Sequence, residues 1–238
     1  MSRGRALVTG SATGIGRGIA LALAREGYDI AIHFRGSAAE AEAVRAEARS
    51  FGARAIVLQA DLADRRAADH LVGEAHELLG GLSVLVNNVG SYLYEPLADV
   101  TDDEWDDVFA TNLEATFATC RAAIPLMRAA GEGRIVNLGY AGAQNVVARP
   151  NLTAYAIAKT GVVLLTKAIA RAEAANGITA NVVSPGVIEN SATKPLREIP
   201  AGRVGRIDEV SAAVIYFVSP AAAYTTGQVL EVAGGWNL

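Results

Sequence analysis

Cysteine is almost missing from this sequence. Cys120 stands alone, so no intramolecular disulfide can form, and its setting in FATCRAAI reads as an apolar helix face rather than a reactive pocket. Charge is sparse as well, at 19% of residues with a net charge of -4, and no Lys/Arg run is present. A sequence pI near 5.5 argues against a broad basic surface for DNA or RNA. Long apolar runs are lacking too. None approaches the roughly 20 uncharged residues that cross a bilayer, and the opening MSRGRALVTG has no apolar signal-peptide core. Together these absences predict a cytoplasmic protein with no nucleic-acid or membrane partner, and no metal site is expected.

What the chain does contain is apolar material, 51% of 238 residues, enough for a sizeable core. Short β-rich runs alternate with helical stretches throughout: RALVT, DIAIHF, RAIVLQ, LSVLVN, RIVNL, ITANVVS and QVLEVAG are separated by helices expected at residues 16–26, 38–50, 65–79, 102–130, 154–176 and 208–218. The apolar runs are near-continuous rather than alternating, as strands covered on both faces must be. The prediction is an α/β protein, a Rossmann-like doubly wound parallel sheet of seven strands flanked by helices, forming one domain over residues 1–238. Gly27, Gly52 and Gly177 sit where helices should end, and Thr101 with Glu104 spells a capping box. Residues 185–206, rich in proline and glycine, read as a mobile surface loop.

Two places carry chemistry. Between the first strand and first helix lies TGSATGIG, whose Gly10, Gly14 and Gly16 let backbone N–H groups approach a pyrophosphate. At the end of the second strand the chain reads His33, Phe34, Arg35, Gly36, Ser37, with no acid to accept from a ribose 2′-OH. A guanidinium and a hydroxyl at that turn suit a 2′-phosphate, so NADP(H) is favoured over NAD(H). Further on, Tyr155 and Lys159 are four residues apart on one helix face. A nearby ammonium is expected to lower the phenol's pKa toward the working range of a general acid.

TGSATGIG, NNVG at residues 87–90, Asn112, YAIAK at 155–159, SPG at 184–186 and the closing TTGQVLEVAGG fall in the order found in short-chain dehydrogenases/reductases. Over essentially its whole length the chain resembles that family, and within it the bacterial 3-oxoacyl-carrier-protein reductases. The resemblance implies a cofactor site at Gly10, Ser11, Thr13, Gly14, Ile15, Gly16, Arg35, Ser37, Asp61, Leu62, Asn88, Val89, Gly90, Pro185, Gly186 and Ile188. Asp61 would accept from the adenine amino group, and Asn87 would line the cofactor through its backbone. Tyr155 and Lys159 would form the proton relay, with Asn112 holding a water.

The family's serine after the fifth strand is missing. Matching the motif VNLGYAG puts Tyr140 in its place, whereas counting back thirteen residues from Tyr155 gives Gly142. Tyr140 replacing the serine, a different donor such as Gln144 or Asn145, and an impaired site are the three readings this leaves.

The implied substrate is a small-molecule carbonyl or acyl thioester, bound by residues 91–96, 141–152 and 187–199, where Tyr92, Leu93, Tyr94 and Tyr140 suit an acyl chain or a flat heterocycle. A pteridine reductase-like enzyme, suggested by IHFRGSAAEAEA, and a nucleotide-binding protein without turnover are the alternatives. The apolar helices at 105–130 and 154–176 resemble the family's subunit contacts, implying a homodimer or homotetramer.

Overall fold

Residues 3–191 and 193–237 are described by a computed structural model. Seven strands, β1 (Gly4–Val8), β2 (Tyr28–Phe34), β3 (Ala55–Gln59), β4 (Val84–Asn87), β5 (Gly133–Leu138), β6 (Ile178–Pro185) and β7 (Val229–Val232), form one sheet in the order β3-β2-β1-β4-β5-β6-β7. Every pairing is parallel. This is the Rossmann-like α/β arrangement expected from the sequence. The strand order reverses between β1 and β4, and the crevice outside the carboxyl ends of those strands is where such sheets bind ligands.

Helices α1 (Gly14–Arg25), α2 (Ala38–Ser50) and α7 (Ile207–Val218) cover one face, where Ile19, Leu23, Val44, Val214 and Phe217 pack on Val8, Ile30 and Ile32. Across the sheet lie α3 (Arg65–Leu79), α5 (Ala115–Ala130) and α6 (Thr153–Glu173). There Leu71, Ala118, Met127 and Ile169 meet Leu7, Leu85 and Ile135. The α6 segment has the length and apolarity of a membrane-crossing helix, yet Lys159, Val162, Val163, Thr166 and Glu173 are buried along it. Cys120 is buried, and burial pushes its thiol up to about 12, so it is the inert core residue expected.

Three expectations change. The helix foreseen at 102–130 is broken into α4 (Asp102–Phe109), a π-helical turn (Ala110–Glu114) and α5. Its cause is polar: Thr111 Oγ1 donates to the Asp107 carbonyl and Asn112 Nδ2 to the Val108 carbonyl, while both side chains also hold Ser91. One extra residue per turn makes room for those contacts, as π-bulges at functional sites do. Helix α1 starts at Gly14, two residues earlier than expected, because the glycine turn is itself the first helical turn. The described part of 185–206 holds the end of β6 and one 3-10 turn (Leu196–Glu198) and is pinned at the base, where Ile188 bridges Gly205, Glu189 N donates to the Gly205 carbonyl, and Gly205 N donates to the Val187 carbonyl.

Candidate active site

Under the crevice runs a buried polar chain. Thr119 Oγ1 donates to Asn87 Oδ1 (2.7 Å), Asn87 Nδ2 to Asn137 Oδ1 (2.8 Å), and Asn137 Nδ2 to Thr166 Oγ1 (2.8 Å), linking α5, β4, β5 and α6. The Asn87 side chain is therefore spent inside the sheet. At the switch point Thr9 Oγ1 accepts from Asn88 N and Val89 N, and Asn88 Nδ2 donates to the Thr9 and Gly10 carbonyls.

Above that joint opens a cleft of 520 Å³. Of the expected cofactor residues, Gly10, Thr13, Arg35, Ser37, Asp61, Leu62, Asn88, Val89 and Gly90 line it. Thr13 caps α1 without a side-chain hydrogen bond, and the N–H groups of residues 12–16 have no partner among the described residues. Those unspent donors at a helix N-terminus fit a pyrophosphate. Gly16 makes the close approach possible, because a Cβ there would lie 2.3 Å from the Gly10 carbonyl oxygen. Arg35 is exposed and makes no ion pair among the described residues, and Ser37 caps α2 with its hydroxyl uncommitted. The cleft thus presents a cation, a hydroxyl and a row of amides. A phosphorylated dinucleotide fits that donor set.

Other expected residues are not part of this lining. Ser11 is fully buried, its hydroxyl donating to the Val8 carbonyl and accepting from His33 N. Ile188 belongs to the core and its N–H donates to Ser191 Oγ, while Pro185 and Gly186 are tied to β7, with Gly186 N on the Val232 carbonyl. Gly14 and Ile15 contribute backbone at the helix start. Sequence reasoning missed His33, Phe34, Ala60, Asp107 and Thr111, which also line the cleft, and Ser91, expected at the substrate, lines it as well. Of these, His33 carried a signal, a histidine at the end of the apolar run of β2.

At the substrate end, Tyr155 and Lys159 project from the first turns of α6, and the Lys159 ammonium lies 5.8 Å from the Tyr155 ring centroid. Lys159 is buried and donates to the Leu138 carbonyl (2.8 Å). Burial pushes its pKa down to about 8. The same burial pushes the Tyr155 phenol up, with Tyr92 and Tyr140 adding to the rise. The lowering of Tyr155 by Lys159, expected from their spacing, is therefore absent in this geometry. The ammonium is turned to a carbonyl, and desolvation dominates.

Three phenols converge here. The Tyr92 ring meets Tyr155 edge-on at 5.1 Å, and the Tyr140 ring lies 5.6 Å away at 53°. Tyr140 also packs on Ala143, Val163 and Val182. Gly142 turns instead toward β7, its N–H donating to Glu231 Oε1. Gln144 reaches the same Glu231 oxygen, and Asn145 donates to the Asn237 carbonyl. Of the candidates for the missing serine, Tyr140 is the one in contact with Tyr155. Burial raises the Tyr140 phenol, partly offset by the Arg149 guanidinium beside it. Asn112 sits in the π-turn with Oδ1 unpartnered and packed on Gly90, where a Cβ would come within 2.1 Å of that oxygen.

Comparison with known proteins agrees with this geometry. The profile of the family described as Enoyl-(Acyl carrier protein) reductase matches residues 10–237. The 3-oxoacyl-(acyl-carrier-protein) reductase FabG of Staphylococcus aureus is 38% identical, covering 97% of this chain and 96% of that protein, and the Vibrio harveyi FabG is 35% identical over 97% and 96%. Among solved structures, a putative short-chain alcohol dehydrogenase from Sinorhizobium meliloti superposes with a TM-score of 0.93 at 34% identity, covering 99% of this chain and 97% of that one. A blue fluorescent protein from a metagenomic library, solved in complex with NADPH, gives 0.92 at 33% identity, covering 100% and 99%. A parallel sheet with a glycine-turn cleft at its switch point, a Tyr–Lys pair on α6 and relatives aligned along nearly the whole chain lead to one assignment: this protein belongs to the short-chain dehydrogenase/reductase family and is an oxidoreductase.

Proposed function

We propose that this protein is an NADP(H)-dependent reductase of a small carbonyl substrate, with a 3-oxoacyl thioester as the favoured class. The observation that carries the reading is the amide-lined cleft, bordered by Arg35, Ser37 and Ser91, together with the Tyr155–Lys159 pair, which meets Tyr92 next to Ser91. Residues 12–16 would hold the pyrophosphate, Arg35 and Ser37 the 2′-phosphate, and Asp61, Leu62 and residues 88–90 the adenosine and its ribose. Bound NADPH supplies the hydride. The protein's own work is to bind the carbonyl and deliver a proton.

Tyr155 gives its phenolic proton to the substrate oxygen. A phenol raised by burial is fully protonated at neutral pH and becomes a competent donor once oxyanion charge develops beside it. Lys159 supplies the neighbouring positive charge and resupplies the proton, with Asn112 holding a water on that route. Tyr140 gives the second hydrogen bond to the same oxygen, in the role of the family's serine. An arginine can only donate, so the guanidinium beside Tyr140 leaves the Tyr140 O–H free to point at substrate. Tyr92, Leu93 and Tyr94 form the apolar approach, and Asn151 fastens it to the opposite loop by accepting from Glu95 N and donating to Tyr94 Oη.

The enzyme works as one domain over residues 1–238, in the cytoplasm, as a homodimer or homotetramer. Exposed Phe117, Ile157 and Leu164 on α5 and α6 support the oligomer. NADPH oxidation with acetoacetyl thioesters tests the reading, with dihydropterin as the competing substrate because IHFRGSAAEAEA is similar to the pteridine reductases. Turnover of the thioester alone is expected. Turnover of the pterin alone would move the substrate class, and binding of NADPH without turnover of either would leave a nucleotide-binding protein.

A further inference from the structure

His33 is 1% exposed, at the carboxyl end of β2, and it borders the dinucleotide cleft. Its ring makes two hydrogen bonds. Gly10 N donates to Nδ1 at 2.9 Å, and Nε2 lies 3.1 Å from the Ala60 carbonyl oxygen. An amide N–H can only donate, so Nδ1 must be the bare nitrogen and the single proton must sit on Nε2, aimed at Ala60. The backbone of the same residue completes the joint: Ser11 N donates to the His33 carbonyl, and His33 N donates to Ser11 Oγ. One side chain thus ties the glycine turn after β1 to the loop after β3.

We propose that neutral His33 is the positioning residue of the glycine turn, the acceptor that fixes the Gly10 amide, so that the dinucleotide cleft is fully formed only while the imidazole is uncharged. This rests on the reading of the cleft as a dinucleotide site. A protonated ring has no lone pair at Nδ1, so the Gly10 N–H would face an N–H and the turn would be pushed out of register with the donors of residues 12–16. Burial pushes the imidazole below its ordinary value, while the Ala60 carbonyl and Asp61 pull it back up. Asp61 after β3, Arg35 at the end of β2 and Asp107 on α4 are the charged groups bordering the cleft. The glycine turn contributes none between residues 9 and 16. Dinucleotide affinity should therefore be highest above neutrality and fall as pH drops.

The test compares the wild type with His33→Asn, whose Oδ1 can take the place of Nδ1 but does not titrate. Dissociation constants for NADH and NADPH are read by cofactor fluorescence at about pH 8 and about pH 5.5, NADH being included because it has no 2′-phosphate to titrate. For the wild type, both should weaken severalfold at the lower pH, by about tenfold at most, because a ring held below its ordinary value is only partly protonated there. His33→Asn should match the wild type at the higher pH and stay flat. In the ligand-free protein the Gly10 amide should exchange slowly at the higher pH and lose protection on acidification, in the wild type only. An acid weakening that persists in His33→Asn, or a ring nitrogen spectrum showing Nδ1 protonated near neutrality, would overturn the proposal. If neither dinucleotide binds either protein, the cofactor reading falls, and the Gly10 exchange still decides the role of His33.

Discussion

The dinucleotide half and the substrate half of the crevice are built on opposite plans. Around β1, β2 and β3 the working groups are mostly backbone amides, presented by a turn whose glycines leave nothing in the way, and side chains such as Ser11 and Asn88 are spent on holding that backbone. Around β5 and α6 the working groups are side chains, a buried ammonium and three phenols brought together from three separate segments. Backbone donors are the same whatever residue supplies them, so in the first half loss of a single side chain should be felt in cofactor affinity rather than in turnover. The second half has no such redundancy, and one lost atom should be felt in turnover.

The largest test of that contrast is Tyr155→Phe. Removing the transferable proton should lower turnover by about 10² to 10⁴ while NADPH affinity, measured by fluorescence titration, stays within about twofold. Near-normal turnover would show that the substrate half does not work through this phenol. Next comes Tyr140→Phe, for which the loss of a converging donor predicts a drop of about 10² in turnover with cofactor affinity unchanged. The Tyr140→Ser variant sharpens it. If Phe is silent and Ser raises the rate on simple 3-oxoacyl thioesters, the site is impaired rather than rebuilt.

On the other side of the comparison, Arg35→Ala should weaken NADPH binding about tenfold or more, the cost of one charged phosphate contact at about 1.5 to 3 kcal/mol, and leave NADH nearly unchanged. Equal loss for both cofactors would mean that the turn grips something other than a 2′-phosphate. The smallest effect is a pH dependence. Burial holds Lys159 at about 8, so its ammonium is complete below that pH and is lost as pH rises through it. Carbonyl reduction at saturating NADPH should be level on the acid side of about pH 8 and halve near it, a step that a kcat against pH profile would resolve. A rate that climbs through that range would show that the neutral amine is the working form.

Much of this is legible in the sequence. Strands covered on both faces read as unbroken apolar runs, and glycine directly between a strand and a helix marks a place where backbone must come close to a ligand, so the sheet and the amide end of the crevice follow from the sequence. Other features were not legible there. The π-turn at Ala110–Glu114 arises from Thr111 and Asn112 reaching across to Ser91, a contact between segments about twenty residues apart that no local pattern announces. After β5 the Tyr140 ring lies against Tyr155 while Gly142 N donates to Glu231 on β7, partners that nothing in the local sequence announces.

The electrostatics of Tyr155 and Lys159 are the clearest division. A spacing of four residues placed them on one helix face, and the sequence by itself determined that much, because helix geometry is local. Whether the ammonium would lower the phenol depended on how far both were desolvated and on what else the ammonium could bond. Only the packing of α6 against the end of β5 decided it, burying Lys159, half-burying Tyr155 and offering Lys159 the Leu138 carbonyl. His33 belongs to the same class: the sequence showed a histidine at the end of an apolar run, and the fold alone brought Gly10 and Ala60 to its two nitrogens. Periodicity and turn chemistry are properties of neighbours along the chain. Solvation and hydrogen-bond partners are properties of neighbours in space.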